Sequence, residues 1–161
     1  MKLTERSFDS QRLEAGTYTM RVENPKYDGE RNNISIRAVV VGGEFDGQWI
    51  LDYYNLARAN GDARPNFGVT KIAVLLNAIG IEPDNDFEDR EAMDTYILGM
   101  ESKLQDKAGI AGLLGKIEGK MFVGTVKENG KYTNIVKYAP LSAKAEQAGK
   151  GAKAVETGWS A

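Results

Sequence analysis

Residues 43–56 read GEFDGQWILDYYNL. Asp46-Gly47 is a turn signal, and the nine residues behind it, 48–56, mix three rings (Trp49, Tyr53, Tyr54) with aliphatics and a carboxylate. A strand with one buried face alternates strictly between apolar and polar residues, whereas this one puts large side chains on both faces. Trp49, Leu51, Tyr53 and Asn55 share one face, and Ile50, Asp52, Tyr54 and Leu56 share the other. Asp52 argues that its own face meets solvent, and Asn55 argues the same, more weakly, for the opposite face. The parity therefore stays open: either protein covers both faces, or one set of rings waits for a partner. Trp49 and Tyr53 are assigned to a ligand, and Tyr54 to the core.

Working outward, residues 16–24 (GTYTMRVEN) alternate Tyr18, Met20 and Val22 against Thr17, Thr19, Arg21 and Glu23, a half-buried strand that Pro25 and Asp28-Gly29 are expected to end. Residues 33–41 form a second strand, with Ile34, Ile36, Ala38 and Val40 on one face and Ser35 and Arg37 on the other. Residues 57–67 lack periodicity and read as a loop carrying Arg58 and Arg64. Beyond it the period becomes helical through Val69, Ile72, Ala73, Leu75, Leu76 and Ile79, with Gly80 as the stop. A second, weaker helical pattern runs through Phe87, Met93, Tyr96, Ile97, Met100 and Leu104, and residues 109–119 read as a short turn of helix. Residues 120–128 and 131–139, joined at Asn129-Gly130, carry the strongest short hairpin signal in the chain.

This order predicts a mainly β fold: a five-stranded OB-type barrel with a helix and an acidic helical insert between strands 3 and 4. Other small barrels with an inserted helix share the order. Residues 1–141 form the expected domain, and 142–161, mostly Ala, Lys and Gly, a flexible C-terminal tail.

Composition narrows the chemistry. The 161 residues contain neither cysteine nor histidine, which removes the thiolate, the zinc-thiolate site and the usual general base near neutral pH. The N-terminus has no apolar leader and no run is long enough to span a bilayer, so a cytoplasmic location without membrane contact is expected. The net charge of -2 is uneven: residues 82–106 hold nine acids against Arg90 and Lys103, leaving 14 acids and 19 bases elsewhere. A mildly basic body suits an anionic ligand or an ordinary surface equally well.

Two motifs fail on inspection. Gly112 to Lys116 has the wrong glycine spacing for a phosphate loop, and Ile117 stands where Ser or Thr should bind magnesium. Asp84, Asp86 and Glu88 mimic a calcium loop, but Asp89 replaces its glycine and Thr95 its closing carboxylate. No carboxylate pair has acid/base spacing, so the chain is read as a non-enzyme without metal or cofactor. What remains are rings and cations on strands. Single-strand binders need this mix because bases stack on rings while Lys and Arg track phosphates. The candidate DNA-binding residues are Arg37, Trp49, Tyr53, Arg58, Arg64, Lys127, Lys131, Tyr132, Asn134, Lys137 and Tyr138. With Ile135 inward, Tyr132 and Tyr138 point outward unless the strand bulges. For each ring singly, core packing fits as well as ligand contact.

Leu13 to Tyr18 (LEAGTY), Gly43 to Gln48 (GEFDGQ), Tyr54-Asn55-Leu56, Leu75 to Gly80 (LLNAIG) and Gly119 to Val123 (GKMFV) together, in their order and spacing, resemble tailed-phage single-stranded-DNA-binding proteins of OB fold. The likeness spans about residues 10–140. It implies a replication or recombination accessory protein of a bacteriophage that coats single strands in the host cytoplasm. Such a protein shows little sequence preference and takes replication or recombination proteins as partners; self-association is left open. The tail departs from the acidic tails of many single-strand binders, since Lys144, Lys150 and Lys153 face Glu146 and Glu156. Two rival functions fit the same residues: a protein-interaction module, for instance an inhibitor of a host enzyme, and a carboxylate-dependent enzyme with a deep acid-lined pocket.

Overall fold

Pro25, expected together with Asp28-Gly29 to end the first strand, lies inside it, and the strand stops at Asp28. In the computed structural model, which describes residues 13–57, 66–81, 86–130 and 132–141, strand β1 (Gly16–Asp28) runs through the proline. Its pairing with β2 (Asn33–Val40) shifts register between Glu23 and Lys26, so Asn24 and Pro25 bulge out of the ladder. The bulge removes the need for a proline N–H, and Asn24 takes a φ of 52°, a left-handed conformation that asparagine tolerates.

The chain is mainly β. Strands β1, β2, β3 (Trp49–Asn55), β4 (Met121–Asn129) and β5 (Tyr132–Ala139) form one antiparallel sheet in the order β3-β2-β1-β4-β5. Helices α1 (Phe67–Ala78), α2 (Arg90–Lys103) and α3 (Lys107–Ile117) all fall between β3 and β4. The sheet is open: no ladder joins β3 to β5 among the described residues. Helix α1 packs against both of these edge strands and against β4.

The helices start where side-chain oxygens replace missing backbone partners. Asn66 accepts from Val69 N at 3.0 Å, Asp89 from Ala92 N at 2.8 Å and Asp106 from Gly109 N at 2.7 Å. Asp89, the residue that spoils the calcium-loop pattern, is thus the cap of α2. Of residues 109–119, expected as a short turn of helix, 109–117 belong to the 11-residue helix α3, and Glu118 caps its end. Helix α1 ends as anticipated at Gly80, whose φ of 79° lets Ile81 N reach back to Leu76 O.

One face of the sheet (Met20, Val22, Ile34, Ile36, Ala38, Val40, Ile50, Tyr54, Phe122, Val126, Ile135) closes on Val69, Ile72, Leu75 and Leu76 of α1 and Ile110, Leu113 and Ile117 of α3. Two glycines allow the close packing. A Cβ at Gly68 would overlap the Asn55 carbonyl oxygen, and one at Gly124 would stand 2.6 Å from Met20 Sδ. No helix among the described residues is long and apolar enough to cross a membrane. Residues 142–161 lie outside the described residues.

Candidate nucleic-acid interface

Among the described residues β3 is an edge strand paired with β2 alone, in the register Val39↔Trp49, Arg37↔Leu51, Ser35↔Tyr53 and Asn33↔Asn55. Its parity is clean. Ile50, Asp52 and Tyr54 are buried, whereas Trp49, Leu51 and Tyr53 are 42%, 43% and 49% exposed. Alternate residues of a strand stand about 7 Å apart on one face, so the two rings and Leu51 form a continuous apolar strip. Arg37 reaches diagonally along it and lays its guanidinium carbon 4.3 Å from the centre of the Trp49 ring, within cation–π range.

Behind this strip lies a polar cluster that sequence reasoning missed. Asp52, taken from the sequence as a sign of solvent, is buried. One carboxylate oxygen accepts from Lys71 Nζ of α1 at 3.1 Å, and the other accepts a short hydrogen bond from the Tyr138 hydroxyl of β5. Lys71 also donates to Tyr53 O at 3.0 Å and lies 5.0 Å from the centre of the Tyr54 ring. The cluster ties both edge strands to α1, satisfying a carboxylate that would be costly to bury alone. Burial, reinforced by the Asp52 charge, pushes the Tyr54 and Tyr138 hydroxyls far above the ordinary tyrosine range. Tyr54's hydroxyl is fully enclosed beside this Asp52–Tyr138 pair. On the central strand β1, burial followed by the charges of Glu14 and Glu44 raises Tyr18 to about 12.

Tyr138 corrects the outward placement read from the alternation of β5. The β4–β5 register passes from Thr125↔Lys137 to Val126↔Ile135, so Val136 is an extra residue. The bulge turns Val136 and Lys137 outward together and brings Tyr138 inward beside Phe122, ring centres 5.6 Å apart. Tyr132, 72% exposed, and Asn134 remain outward; Asn134 pairs with Lys127, and Lys137 is exposed on the same face. Of the proposed contacts, Arg37, Trp49 and Tyr53 are brought together on β2 and β3, and Lys127, Tyr132, Asn134 and Lys137 on the β4–β5 hairpin. Arg58, Arg64 and Lys131 lie outside the described residues.

Sequence reasoning also left out Leu51, whose parity with Trp49 and Tyr53 was visible, and Phe67, which lay in the expected loop and is 78% exposed as the first residue of α1. Among the described residues no group of three His, Cys, Asp or Glu side chains is placed to hold a metal. No protein-family model matches the chain, and no curated protein matches it.

Proposed function

We propose that the chain binds single-stranded DNA without sequence preference, on the outward face of β2 and β3, as a phage replication or recombination accessory protein. The observation that carries the reading is the exposed row Trp49, Leu51, Tyr53 with Arg37 lying over the first ring. Rings exposed on a sheet offer stacking worth roughly 1–3 kcal/mol per base, which any base accepts. The strand order supports an OB-type barrel opened at one seam. β3 and β5, the edges of the sheet, are joined through Asp52 and Tyr138, and the face of strands 2 and 3 with the loops 1–2 and 4–5 is where OB folds take oligonucleotides. Lys127 and Tyr132 flank the 4–5 loop on this arrangement.

Titration of labelled oligo-dT tests it. Affinity should fall with salt with a log–log slope of roughly -2 if only Arg37, Lys127 and Lys137 meet phosphates, and roughly -4 if Arg58, Arg64 and Lys131 join them. Absence of binding at low salt would sink the reading. Leu51 favours a second reading, since an aliphatic between two rings also suits a protein partner. A stoichiometric protein complex that oligo-dT fails to compete would decide for it.

A further inference from the structure

Arg37 has an acid directly across from it and does not use it. Glu23 of β1 is its partner in the β1–β2 register, and facing residues of opposite charge on one sheet face ordinarily interact. Yet Glu23 Oε2 accepts from Arg21 Nε at 2.7 Å and lies 2.5 Å from Arg21 Nη2. Arg21 stands two residues before Glu23 on the same strand and the same face. Arg37 is left lying on Trp49, its Nε buried without a partner, and no carboxylate among the described residues pairs with it.

We propose that Arg21 sequesters Glu23 so that Arg37, held flat by Trp49, remains open as the phosphate-binding residue of this face. The inference rests on the single-stranded-DNA reading and divides the labour within it. Trp49, one side of whose ring carries the guanidinium, positions Arg37, and Tyr53 takes the stacking. Two features make a guanidinium in this setting a good phosphate holder. Its planar fork matches phosphate oxygens, and stacking on an indole limits the orientations it must give up on binding. A free Glu23 would undo both by offering a competing anion on the adjacent strand.

The test is a set of oligo-dT titrations on the full chain at low and moderate salt. Arg37→Ala should weaken binding about tenfold and make the salt slope about 0.7 less steep, the signature of one lost contact to a single strand. Arg21→Ala should weaken binding several-fold by releasing Glu23 onto Arg37. Adding Glu23→Gln to it should restore affinity to near the wild-type value, and Arg21→Lys, which keeps an ion pair with Glu23, should change little. In the Arg37→Ala background, Arg21→Ala should have no further effect. The inference is overturned if Arg21→Ala weakens binding equally with Glu23→Gln or Arg37→Ala present, because Arg21 would then touch DNA itself. It is overturned equally if Arg21→Ala is neutral while Arg37→Ala is weak. Wild-type protein that fails to bind oligo-dT overturns the underlying reading instead, which keeps the two failures distinct.

Discussion

Tyr53 and Tyr54 are neighbours in the chain and opposites in the structure. Tyr54 is fully buried against α1 and the inner sheet face, while about half of Tyr53 lies open to solvent on the outer one. The same division runs along the strand. On the inner side Ile50 and Tyr54 join the core and Asp52 is matched by Lys71 and Tyr138. On the outer side Trp49 and Tyr53 keep close to half of their surface in solvent, with Arg37 lying over the Trp49 ring. One side is built to be complete, with every charge answered; the other keeps large apolar surface in water, a cost that binding would recover.

The comparison can be broken most forcefully from inside. Asp52→Ala leaves the Tyr138 hydroxyl without its acceptor and Lys71 without its counter-charge, and removing one partner of a buried ion pair costs about 3 kcal/mol. Urea unfolding should show that loss, and a change of under 1 kcal/mol would mean that the cluster is not what joins the edge strands. From outside, Tyr53→Ala should cost about 2 kcal/mol of oligo-dT binding, roughly thirtyfold in Kd. Its unfolding free energy should stay within about 0.5 kcal/mol of wild type; a large loss of stability would put Tyr53 in the core instead.

A smaller effect tests the inner face by pH. The Tyr54 and Tyr138 hydroxyls are raised above 10.0 in the folded chain. Unfolded chain therefore loses those protons first as pH climbs past about 10. Stability is fully present below that pH and falls above it, by up to about 1.4 kcal/mol per pH unit for each hydroxyl. Tyr138→Phe should flatten the decline by one such proton; a slope equal to that of the wild type in alkaline denaturation would contradict the assignment. The smallest effect belongs to Leu51→Ser, which should leave unfolding within about 0.5 kcal/mol of wild type and, if DNA is the ligand, weaken oligo-dT binding less than Tyr53→Ala does.

Much of the framework was legible in sequence because it is written in local periods. The alternation of Ile34, Ile36, Ala38 and Val40 marked the buried face of β2, the helical spacing from Val69 to Ile79 marked α1, and Asn129-Gly130 marked the β4–β5 hairpin. The departures came where alternation is interrupted. Pro25 reads as a stop in sequence, but a bulge at Asn24 carries β1 past it, and the bulge at Val136 reverses the side on which Tyr138 lies. A bulge adds one residue without changing the character of its neighbours, so a period-two reading carries the wrong parity beyond it.

The sequence by itself determined that a strand with rings on both faces lies within residues 48–56, and which side chains travel together on each, because side-chain direction in a strand depends only on position. It did not determine which set goes inside. That choice turned on Asp52, whose partners lie 19 and 86 residues away. A carboxylate marks solvent only until a cation and a hydroxyl are brought to it, and here the packing of α1 and β5 against β3 brings both.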